Sequence, residues 1–132
     1  MSRFTRIEEV RFGGRVISLP LSVRLGRRSE AIPGMGDGDL LPSAIQIGSV
    51  TILVEVRVRD CQAAEELSLG DQGQLRLVMR SSDGQRCRQI TLACAVLTAS
   101  EIQYEQHAPA SALLKFAACN YGNEPFEAEE IE

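Results

Sequence analysis

Histidine is the usual general base near neutral pH, and this sequence has one, His107. Any Ser-His-Asp or Cys-His unit would have to run through it. It sits in the stretch EQHAPAS, beside Ala108 and Pro109, and no nucleophile motif such as G-x-S-x-G occurs. His107 reads as a solvated or turn-packing residue. The four cysteines, Cys61, Cys87, Cys94 and Cys119, show no C-x-x-C spacing, and each lies in or beside an apolar segment. They read as free thiols buried as small hydrophobes rather than as zinc ligands or disulfides.

A second candidate is GMGDGDL, Gly34 to Leu40. A phosphate loop needs a following Gly-Lys-Ser/Thr, which is missing, and a calcium loop needs alternating carboxylates with a closing Glu. Asp37 and Asp39 alone fall short of that set. Nothing selects a glycosidase-type pair among the remaining acids. The expectation is a non-enzyme with no catalytic residues, no metal and no cofactor.

The surrounding pattern is one of strands. Residues 3–12 and 15–25 read as two strands joined by Gly13-Gly14, with Pro20 marking an edge or a bulge. In 44–59, Ile52, Val54, Val56 and Val58 alternate with polar or exposed positions, and Gly48-Ser49 marks a bulge or turn. Asp60 is an N-cap candidate for a short helix over about 61–68, ended by Gly70. Residues 73–82 alternate again, and Asp83-Gly84 predicts a type I′ turn into a long strand. That strand is apolar on both faces around 90–98, which makes it central or places its outer side against another subunit. A final strand over 111–119 turns Leu114 and Phe116 inward.

The fold class is therefore mainly β: a two-sheet β-sandwich or small β-barrel of six to eight largely antiparallel strands with one short α-helix. One domain spans 1–126, with a long loop at 26–43, and 127–132 read as an acidic flexible tail. Between Gly26 and Ser43 the loop holds four glycines, two prolines and three acids.

Charge sets the function classes apart. The net charge of −4, with no Trp and two Tyr, argues against nucleic-acid binding, which wants a basic face and aromatic platforms. There is no apolar run long enough to span a membrane and no secretory h-region, so the expected place is the cytoplasm. Residues 1–30 carry seven Arg against three Glu, while the last nine residues carry five Glu and no cation. Such polarity favours heterologous, head-to-tail contacts. A monomeric β-sandwich or barrel that binds a partner through loop 26–43 is the alternative reading.

From Val50 to Phe126 the order of parts is TILVEVRVRD, LSLGDQGQL, LRLVMRSSDG, ITLACAVLTASEIQY, EQHAPAS and ALLKFAACNYG. It resembles the tail-tube proteins of long-tailed bacteriophages, which are similar in fold to the hemolysin-coregulated tube protein of type VI secretion. The resemblance implies a structural protein forming homo-oligomeric, six-membered rings that stack head-to-tail. Its partners would be copies of itself and other tail or tube components, with assembly in the cytoplasm and a final place in a virion tail. It also implies that loop 26–43 packs on the adjacent ring and that strand 90–98 faces a neighbour. The interface candidates are Arg27, Arg28, Met35, Asp37, Asp39, Leu40, Leu41, Ala93, Ala95 and Leu97.

Overall fold

The computed structural model describes residues 4–34, 44–118 and 127–131. Eight strands and one helix follow in the order β1 (Phe4–Phe12), β2 (Arg15–Val16), β3 (Pro20–Gly34), β4 (Ala44–Val58), α1 (Cys61–Glu66), β5 (Gln72–Ser81), β6 (Cys87–Glu105), β7 (Ala108–Ala118) and β8 (Glu127–Ile131). They form one antiparallel sheet in the order β2-β1-β5-β6-β7-β4-β3, with β8 also on β6. The fold is mainly β with antiparallel strands and one short helix, as expected, and its strands share one sheet rather than two. The sheet curls so that β1 approaches β3 across the core, but no ladder joins them, so the barrel is not closed.

The core fills the concave side. Val10, Phe12, Leu75, Leu77, Ile90, Leu92, Leu97, Leu114 and Phe116 are buried there with Ile52, Val54, Val56 and Val58 of β4. The two-residue alternation of β4 thus puts all four of its predicted core residues inside. The rings of Phe12 and Phe116 meet at 4.8 Å in a tilted pair, joining strands from opposite halves of the sheet.

Helix α1 closes one side with Ala63 and Ala64. Asp60 is its N-cap as expected: Oδ1 accepts from Ala63 N–H and Oδ2 from Ser18 N–H, each at 3.1 Å. One carboxylate therefore starts the helix and ties it to the segment that leads into β3. The helix ends at Glu66, two residues earlier than expected, because Leu67 is already extended.

Several turns differ from expectation. Gly13 and Gly14 both have positive φ and make the predicted tight hairpin, but the returning strand β2 is only two residues long. After Ile17 the chain crosses to the far edge, where β3 pairs with β4, so 15–25 is not one strand. The turn after β5 is not type I′, since Asp83 lacks a positive φ and Gly84 alone has one. Gly84 N–H instead bonds the Ser81 carbonyl, and Ser81 N–H bonds the Arg86 carbonyl. Asp83 accepts from the Ser81 hydroxyl and from Gln85 N–H. Those two bonds, the hydroxyl first, hold its carboxyl below the ordinary aspartate range.

The largest difference concerns the expected loop. Residues 26–34 are strand, paired with 44–53 as the distal half of a long β3–β4 hairpin. Residues 35–43 lie outside those described. The predicted irregularity at Gly48-Ser49 is present: Ser29 pairs with Val50 but Ala31 with Ile47, leaving an extra residue on β4. Residues 127–131, expected as a loose tail, form β8 on β6, with Thr91 opposite Glu127 and Cys87 opposite Ile131.

Two substitutions probe these contacts. A Cβ at Gly73 would stand 2.8 Å from Gly13 Cα, a backbone atom that cannot swing aside. Gly73→Ala should therefore cost about 1–3 kcal/mol in denaturant unfolding. Because the folded Asp83 carboxyl is held below its unfolded pKa, its stabilisation is present above the unfolded value and disappears as pH falls through the folded one. Thermal melts of Asp83→Asn and wild type should accordingly differ at neutral pH and converge in acid.

Candidate functional surface

Strand β6 is nineteen residues long, and its two halves have different neighbours. Residues 87–96 pair with β5 on one side; β8 and the end of β7 lie on the other. Residues 97–105 pair with β7 alone, apart from two backbone bonds linking Leu97 to Gly70 and Asp71. The second half of β6 thus forms, with β7, β4 and β3, a four-stranded antiparallel segment. Among the described residues both its outer edges, residues 98–105 of β6 and the whole of β3, have no strand partner.

Registers place side chains across this segment in rows on the face away from the core. Ser22, Arg57, Leu113 and Glu101 form one row, and Arg24, Glu55, Lys115 and Ala99 the next. Arg57 donates to Ser111 Oγ at 3.4 Å, and Lys115 Nζ lies 4.0 Å from Glu55. Gly26 lies opposite Leu53, an exposed leucine. A hollow of about 330 Å³ opens here, lined by Arg24, Leu25, Gly26, Arg28, Leu53 and Glu55.

The two open edges differ in charge. From Pro20 to Arg28, β3 carries Arg24, Arg27 and Arg28 and no acid. From Leu97 to His107, the β6 edge and its turn carry Glu101 and Glu105 and no Lys or Arg. The two hairpins also point apart. Leu53 pairs with Ala117 and Val58 with Ala112, so the distal β3–β4 arm leaves past the end of β7. The β6–β7 turn leaves past the opposite end.

The sequence candidates fall into three groups. Arg27, Arg28 and Ala93 are exposed. Ala95 and Leu97 are fully buried in the subunit's own core, so they offer no surface to a neighbour. The reason is a bulge: Gly73 pairs with Ala95 but Leu75 with Leu92, so residues 93–94 shift the inward parity of β6 from even to odd. A second irregularity at Thr98, whose hydroxyl donates to the Lys115 carbonyl, shifts it back, and Ile102 packs on the core. The strand is central in the sheet, as one of the two expected readings had it, and the bulge moves Ala95 and Leu97 onto its inner face while Ala93, Cys94 and Val96 lie outward. Met35, Asp37, Asp39, Leu40 and Leu41 lie outside the described residues.

His107 is exposed at the β6–β7 turn, with a φ of 65°. Cys61, Cys87 and Cys94 form no disulfide and are half-buried, not fully buried as expected; Cys119 lies outside the described residues. Among the described residues no three His, Cys, Asp or Glu side chains converge as metal ligands, and no helix is long and apolar enough to cross a membrane. Arg24 and Glu101, which lie on these open edges, were not among the sequence candidates, although the one-signed charge of each edge was visible in the chain.

The fold has a counterpart of known structure. A chain in the tail of an empty GTA particle, computed with helical refinement and C6 symmetry, matches 81% of this chain and 82% of its own. The TM-score is 0.53 at 10% sequence identity, so the likeness is one of fold. The fold implied by the resemblance to tail-tube proteins is the one found. No protein-family model matches the chain, and no curated protein matches it in sequence.

The bulge account makes a paired prediction. Ala95→Asp buries a charge in the core and should leave the protein unfolded at room temperature. Ala93→Asp, two residues away, should shift the melting midpoint by no more than a few degrees. Circular dichroism melts of the two variants check this.

Proposed function

We propose that this protein is a structural, non-enzymatic tail component whose copies join edge to edge into closed rings. The observation that carries the reading is the four-stranded segment whose two edges have no strand partner among the described residues. Open edges of this length invite pairing with another chain unless they are covered. The strands alternate in direction from β6 to β3, so β6 of a second copy placed beside β3 continues the antiparallel order. Joining β3 to β6 is a heterologous contact, which closes into a ring when the rotation allows.

The rest of each subunit lies on the core side of the segment, so a closed barrel keeps that bulk outside and turns the rows of Arg24, Arg57 and Lys115 toward a central channel. The C6 symmetry of the GTA tail supports six copies per ring. The distal β3–β4 arm and the β6–β7 turn, leaving from opposite ends, suit head-to-tail stacking of such rings and contacts to other tail components. On this reading the subunits assemble in the cytoplasm and end in the tail of a particle. The alternative binding module, with 26–43 as a binding loop, loses its premise where 26–34 are paired strand.

Negative-stain electron microscopy and mass photometry of the concentrated wild-type protein test the proposal. Rings or short tubes are expected, with the ordered species growing as concentration rises. A protein that stays monomeric up to millimolar concentration, in low and high salt, would overturn it.

A further inference from the structure

Gly26 stands in the middle of β3 without a backbone reason to be glycine. Its φ is not in the left-handed region, and an added Cβ would meet nothing within 4 Å. Glycine weakens a strand interior, and where the fold does not need it, it often marks the close approach of another group. Here its missing side chain leaves the hollow between Arg24 and Arg28, floored by Leu53. Glu55 also lines the hollow, with Lys115 4.0 Å from its carboxylate, and the two arginines at the free edge make a seat for a second carboxylate.

We infer that the occupant is Glu101 of a second copy, on the ring reading given above. Glu101 is exposed on the free β6 edge. Through the row Glu101–Leu113–Arg57–Ser22 it shares a face with Arg24, Gly26 and Arg28. Setting the incoming Glu101 opposite Gly26 puts its carboxylate diagonal to both arginines, within the reach of cross-strand neighbours. It also sets Gln103 opposite Arg24.

This register has a geometric consequence that supports it. Within one subunit Glu101 shares its row with Ser22, whereas the neighbour's Glu101 meets Gly26. The stagger is four residues for four strands, or one residue per strand. A barrel with shear equal to its strand number has a strand tilt of about 36°, inside the usual range for closed barrels. The basic β3 edge also repels a second β3, and the acidic β6 edge a second β6, so charge selects the head-to-tail contact over either self-pairing.

The test uses the full chain in four forms: Gly26→Leu, the pair Arg24→Glu with Arg28→Glu, Glu101→Arg, and the last three changes combined. Each is first checked by thermal melt as a dilute monomer, where Gly26→Leu should fold at least as well as wild type. Self-association is then measured by sedimentation at low salt. The first three variants should associate about a hundredfold more weakly than wild type, and the combined variant should recover most of that loss. Wild-type association with unaffected variants would overturn this seat and leave the ring standing. Loss on reversing the arginines but not Glu101 would mean another group fills the hollow, and would overturn it too. A wild-type chain that never associates would remove the ring and the seat together.

Discussion

One strand has to satisfy three neighbours while keeping its apolar side chains inward, and the rest of the fold hangs on how β6 does so. It pairs with β5, β7 and β8 along different stretches. A regular nineteen-residue strand would hold one parity throughout. The curled sheet instead uses the bulges at 93–94 and 98 to move from Ile90 and Leu92 to Ala95 and Leu97, and then to Ile102. Each bulge also increases local twist. That lets one sheet enclose a core that would otherwise need two.

These bulges explain where sequence reading succeeded and where it stopped. Regular alternation made β4, β5 and β7 legible, because a half-buried strand writes its inner face at every second residue. Asp60, Gly13-Gly14 and the break at Gly48-Ser49 were legible because caps, tight turns and bulges each demand particular residue types. In β6 the same alternation is interrupted twice, and one parity carried past the first bulge puts Ala95 and Leu97 on the wrong face. Ala95 and Leu97 were consequently assigned to a surface they do not reach.

The arm shows the other limit. Residues 26–34 contain two glycines, a proline and polar side chains, and such a composition speaks for a loop. What makes them strand is the ladder to β4, a contact that propensity does not record. The edge position excuses the rest, since Pro20 and Pro33 sit on a strand whose outer side pairs with nothing described. The charge of the two edges, by contrast, was present in the chain from the start. Only the topology could show that the basic run and the acidic run border the same four strands.

The long ladders also carry a mechanical meaning. The β3–β4, β4–β7 and β6–β7 pairings all run along one direction, and the first extends from Pro20–Val58 to Gly34–Ala44. A force that slides neighbouring strands past one another loads every bond of a ladder at once, whereas one that peels the β6–β7 turn sideways breaks them singly. The subunit is therefore stiff against shear along its strands and compliant across them. Its resistance is set by the height of the barrier to unfolding more than by equilibrium stability.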